Sequence, residues 1–160
     1  MRPRCSSAIA ALVLALAPGC ATPTAEQEAR LGAQMHYHIQ YDAPLLRDDV
    51  VDAYVASLGQ RIAAAAPPSA TGYRFFVIVD DDINAFAGPG GYVYVNTGTI
   101  LRARNVSELA GVLAHEVGHV AKRHVAKNVG RQQTANTARQ IGMVAGAVAA
   151  GAAGATAANL

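Results

Sequence analysis

Apolar positions recur at helical spacing in the first third of the chain. Over residues 26–41, Leu31, Gln34, Met35 and His38 share one side of a helical wheel, which predicts a first helix. Over 48–66, Val51, Tyr54, Val55, Leu58 and Ile62 repeat on one face. Asp48 and Asp49 suit that helix's N-terminus, and Pro67-Pro68 stop it. The period then changes. "YRFFVIVD" (73–80) is a continuous β-rich apolar run that reads as a buried strand. "INAFA" (83–87) and "YVYVNTG" (92–98) flank "GPGG", a turn signal, and together predict a hairpin. A long helix is predicted over 106–129, capped by Asn105 or Ser107 and ended by Gly130. There are no internal repeats.

Both ends are apolar in a different way. Arg2 and Arg4 precede an uncharged apolar run at 8–17 and small residues before Cys20. That is the form of a bacterial export signal over residues 1–19. Its apolar run is about ten residues, against the roughly 20 that a bilayer span needs. Gly19-Cys20 resembles a lipoprotein processing site, at which Cys20 would be acylated and residues 20–25 would form a tether. The site carries Ala17 where such motifs usually have Leu, and Pro18 is unusual there. Ordinary cleavage nearby, with Cys20 incidental, is the alternative. Ala21 after the cysteine, in place of Asp, points to the outer membrane. At the other end, residues 141–160 carry no charge. Their length meets the test for a span, but Gly142, Gly146 and the many alanines favour a segment packed on protein or lying at an interface.

Composition alters this picture in three places. The formal net charge of +2 resides in the signal, because removal of Arg2 and Arg4 balances the remaining charges. Residues 102–160 are basic and 20–101 acidic, which fits solvated helix faces or contact of the basic half with anionic lipid heads. No stripe of basic and aromatic residues suggests nucleic acid. With Cys5 removed, Cys20 is the one cysteine left, so no intrachain disulfide is expected.

The chemistry concentrates in "ELAGVLAHEVGHVAKRH" (108–124), where His115-Glu116-x-x-His119 interrupts an oily run. At 100° per residue His119 lies about 40° from His115, and Glu116 about 100°. Both imidazoles can then grip one ion while Glu116 reaches a metal-bound water. From Leu109 to Ala121 no other residue is polar, and a helix apolar all round is buried. Buried polar groups need partners. One zinc ion with a bound water would serve all three; core histidines bonded to backbone, with Glu116 paired to an arginine, are the structural alternative. A third protein ligand is needed. His124 falls at about 180° on a continuous helix and points away. No Asp or Glu follows Glu116, and Asp80, Asp81 and Asp82 at a strand end are poor candidates. A di-iron bundle would need a second ExxH and two more glutamates, which the downstream half lacks. His36 and His38, two apart, diverge on a helix and read as surface residues.

The text from "YRFFVIVDDDINAFAGPGGYVYVNTGTI" through "SELAGVLAHEVGHVAKRH" resembles the HtpX/Ste-type zinc metallopeptidases, in their bacterial periplasmic branch of BepA-like and small lipoprotein members. NAF-x-x-PGG and HExxHxxxRH carry the likeness beyond HExxH alone, with weaker similarity from Glu26 onward. The resemblance implies an α+β, zincin-like (gluzincin) domain over 26–160. It implies His115 and His119 as ligands of one zinc, Glu116 as catalytic base, and a substrate strand laid along Asn84, Ala85, Phe86, Gly90 and Gly91. It also implies polypeptide substrates and a role in protein quality control at the outer membrane. Relatives supply the third ligand from a Glu-x-x-x-Asp helix further on. This sequence stops in the apolar segment before it, so the domain is expected to be incomplete at its C-terminus and its own activity doubtful. The alternative is a non-catalytic envelope lipoprotein that binds unfolded chains or partners through its exposed strand and tail.

Overall fold

The computed structural model describes residues 22–136 together with 139, 140 and 143. The expected signal at 1–19, Cys20, and 141–160 apart from Met143 lie outside the described residues. The described residues fall into two compact units, one spanning Pro23–Val129 and the other holding Thr22 and the residues from Gly130 on.

In the first unit α1 (Ala25–Asp42) opens on a capping box, in which Thr24 accepts from the Gln27 amide and the Gln27 side chain accepts from the Thr24 amide. Helix α2 (Asp49–Ala63) starts where the Asp48 carboxylate accepts from the amides of Val50 and Val51. Strands β1 (Arg74–Ile78), β2 (Ala85–Ala87) and β3 (Tyr92–Asn96) form one sheet in the order β1-β3-β2. β3 runs parallel to β1 and antiparallel to β2. Two helices follow, α3 (Thr97–Arg102) and α4 (Val106–Ala121), the latter capped by Asn105. The architecture is the expected α+β one.

Strand alternation sorts the sheet's two faces. Val77, Val93 and Val95 turn to one side, where Val55 and Leu58 of α2 and Leu109, Leu113 and Val120 of α4 close over them. Phe76, Tyr92 and Tyr94 turn to the other, against Met35 and Ile39 of α1. β3 is buried along its whole length, as a central strand covered on both faces should be. His36, read from sequence as a surface residue, belongs to this second face. Its Nδ1 is 2.9 Å from the Tyr94 hydroxyl and its ring packs on Phe76 and Tyr92. Burial, then the nearby Arg74 cation, lowers its pKa. His38 is exposed, as expected.

The turn between β2 and β3 is tighter than its glycines alone announce. Gly90 and Gly91 have φ of 74° and 84°, in the region that glycine enters freely. A Cβ on Gly91 would collide with the Gly72 carbonyl oxygen, and one on Gly32 of α1 with the Pro89 carbonyl oxygen. The turn is thus locked under α1 by close backbone approach.

One element departs clearly from expectation. The helix predicted over 106–129 ends at Ala121, turns at Lys122 and Arg123, and restarts as a separate helix over 124–136 that runs through Gly130. Gly130 therefore terminates nothing. In the second unit the Thr134 hydroxyl donates to the Gly130 carbonyl at 2.9 Å. Among the described residues no helix is long and apolar enough to cross a membrane.

Candidate metal and catalytic site

Helix α4 carries the candidate site, and its first turn fixes where it begins. Asn105 accepts from the Glu108 amide at 3.1 Å. Arg104 bonds the Glu108 carboxylate through its backbone N–H and Nε, and so holds that carboxyl below its usual range. From there Leu109, Leu113 and Val120 pack with the sheet valines, and Val117 is also buried.

His115 and His119 emerge one turn apart on the side away from that core. Their Nε2 atoms are 3.1 Å apart and their rings meet edge to face, with centroids 4.8 Å apart. Two nitrogens bound to one tetrahedral zinc at about 2.05 Å lie about 3.3 Å apart, so the pair fits such an ion with little adjustment. Glu116 is 9% exposed. Its carboxylate makes no hydrogen bond or ion pair with any described residue, and its oxygens are not sealed from the surface. The arginine partner of the structural alternative is therefore not found for it. The histidines likewise face each other rather than backbone, and His115 is exposed.

The expectation of burial all round α4 fails on this same side. Gly111, Ala114 and His115 are exposed, and a Cβ on Gly111 or Gly118 would meet nothing within 4 Å. Apolar composition on a wheel does not distinguish a face covered by the sheet from one covered by nothing described. Among the described residues no third His, Cys, Asp or Glu joins the pair in a group able to hold a metal.

His124 corrects the wheel more directly. It does not point away: its Nδ1 lies 3.0 Å from Nδ1 of His119, and the two rings meet edge to face. The break at Lys122 and Arg123 swings it back, with Arg123 at φ 53°. It sits on the far side of His119 from His115, so it does not complete a three-nitrogen set around one ion.

The residues expected along a substrate strand divide by their place in the pleat. β2 is an edge strand packed against α4, and no other strand among the described residues pairs with its outer side. Ala85 and Ala87 face α4 with the valine layer. Phe86 turns to the opposite face, stacks on Tyr94 at 4.9 Å and lines a hollow of about 530 Å³ beside α1. Asn84 is exposed, and its carbonyl accepts from the Asn96 amide and the Thr99 hydroxyl. Gly90 and Gly91 are buried; they fix the hairpin rather than offering a surface.

The sequence model described as Peptidase family M48 matches residues 49–160. The beta-barrel assembly-enhancing protease of Escherichia coli K12 is 38% identical over 107 residues, which is 67% of this chain and 22% of that protein. The protein of the same name from Yersinia pestis is 38% identical over 71% of this chain and 23% of its own length. The mitochondrial metalloendopeptidase OMA1 of Schizosaccharomyces pombe is 38% identical over 48% of this chain and 23% of its own. The chain spans less than a third of the length of the curated relatives it matches. The family match covers most of the chain, and the chain belongs to peptidase family M48.

Proposed function

We propose that this chain carries the catalytic helix of an exported zinc endopeptidase that cleaves misfolded or misassembled polypeptides of the cell envelope. The observation that carries the reading is the pairing of the His115 and His119 Nε2 atoms at 3.1 Å next to Glu116, a mostly buried residue whose carboxylate no described residue engages. His115 and His119 would hold one zinc through those nitrogens. When bound, zinc supplies a Lewis acid that polarises a scissile carbonyl and lowers the pKa of water toward about 7. Glu116 takes the proton of the attacking water and passes it to the leaving amine, base first and acid second. Hydrolysis then needs no acyl-enzyme, and α4 supplies no serine or cysteine near the pair to form one.

The substrate class follows from β2. An extended polypeptide can add to its outer edge through backbone hydrogen bonds, which favours unfolded segments over compact ones. Ala85 and Ala87 leave that edge close to α4, and the doubly bonded Asn84 carbonyl fixes where it starts. The names of the bacterial relatives place them in β-barrel assembly. That agrees with the export signal at 1–19 and with attachment to the outer membrane through an acylated Cys20. The third zinc ligand would come from outside the described residues.

The test is metal removal. The full-length protein is expected to degrade an unfolded polypeptide such as casein, to lose that activity on treatment with a chelator, and to regain it with zinc. Cleavage that persists in chelator would contradict the reading. Retention of casein without cleavage would favour a non-catalytic binding lipoprotein.

A further inference from the structure

The three residues after α4 do what no helical period predicts. Arg123 occupies the left-handed region at φ 53°, where a side-chain-bearing residue persists only if its surroundings hold it. Its surroundings do so. The Arg123 Nε donates to Glu28 Oε2 at 2.8 Å, and its Nη2 donates to the Pro23 carbonyl at 2.6 Å. Glu28 is 6% exposed, and its other oxygen accepts from the Gly90 amide at 3.4 Å. One ion pair therefore ties the start of α1 and the locked turn before β3 to the end of α4. A buried carboxylate engaged at both oxygens resists displacement, because a broken pair would leave its charge uncompensated.

The consequence is the position of His124. Its Nδ1 faces His119 Nδ1 at 3.0 Å, while His119 Nε2 faces His115 at 3.1 Å. The two nitrogens of the His119 ring thus have different partners on opposite sides. A neutral imidazole carries one N–H. With the proton on Nδ1, His119 donates to His124 and keeps its Nε2 lone pair on the His115 side. With the proton on Nε2, it cannot ligate there. Ligand histidines are held by an acceptor for their other N–H, and loss of that acceptor typically weakens metal binding 10–100-fold.

We propose that His124 is a positioning residue for His119: it accepts the His119 Nδ1–H and keeps Nε2 unprotonated toward His115, and the Glu28–Arg123 ion pair holds it in that place. This rests on the reading that His119 binds zinc. Three measurements on the full-length protein test it: zinc affinity by competition with a chromophoric chelator, ring-nitrogen NMR of the metal-free protein near pH 8, and melting temperature. The wild type should bind zinc and show the His119 proton on Nδ1. His124→Phe should weaken zinc about 10–100-fold and spread the His119 proton over both nitrogens, with little change in melting temperature. His124→Asn, whose amide oxygen can take the place of Nδ1, should stay close to wild type. Glu28→Gln should weaken zinc in the same direction as His124→Phe.

Zinc affinity unchanged in His124→Phe, or equally weak in His124→Asn and His124→Phe, would overturn the proposal. So would a wild-type His119 proton on Nε2, and that result decides the matter even if His124→Phe fails to fold. A wild type that binds no zinc would instead overturn the reading on which the proposal rests, and the proposal with it.

Discussion

Glu116→Gln in the full-length protein is expected to lower kcat/KM for an unfolded polypeptide by about 10²–10⁴, the usual contribution of a positioned general acid–base, while bound zinc stays at the wild-type level. The substitution keeps the size and shape of the side chain and removes its charge and its capacity to take a proton. Glu116 is buried beside the two histidines and no described residue bonds it, so the amide breaks no ion pair and should not unfold α4. The two readouts separate the roles: a proton carrier affects turnover alone, a ligand affects metal content. The measurement is steady-state kinetics beside metal analysis of one preparation. Wild-type turnover in the variant would remove Glu116 from the mechanism, and loss of zinc would make it a ligand.

The second large effect is on stability and contrasts the two sides of α4. Leu113 is fully buried between the α2 and β3 residues of the valine layer. Leu113→Ala should cost about 2–5 kcal/mol, from lost transfer energy and the cavity left behind. For a unit of roughly 100 residues that corresponds to on the order of 10–20 °C in melting temperature. Gly111, two residues earlier, is exposed, with open space where a Cβ would go. Gly111→Ala should therefore stabilise this chain, by up to about 1 kcal/mol from helix propensity. Thermal unfolding of the two variants checks both signs. Similar losses in both would mean that the Gly111 flank is packed as tightly as the sheet side.

Much of this arrangement is legible in the residues themselves. Period 3.6 locates α1, and with the caps Asp48 and Asn105 it locates α2 and the start of α4. "GPGG" between two β-rich runs locates the hairpin. His115, Glu116 and His119 are readable because their relation is local, four residues on one helix. What stayed hidden depends on distant partners. No Gly or Pro marks the break at Lys122 and Arg123. The left-handed turn is held by Glu28, 95 residues earlier, and no window of sequence shows that. His124 was excluded by a continuous wheel for the same reason. His36 joins the tyrosine side because α1 packs on that face of the sheet, a tertiary fact. The burial expected around α4 failed because an oily wheel does not say which of its sides has a neighbour.

The most direct test of the central claim is the zinc content of full-length protein purified without chelator, beside that of a His115→Ala/His119→Ala double variant. About one zinc per chain in the wild type and a background level in the variant is the result expected of a site that needs both imidazoles. A metal-free wild type, or a double variant that keeps its zinc, would contradict it.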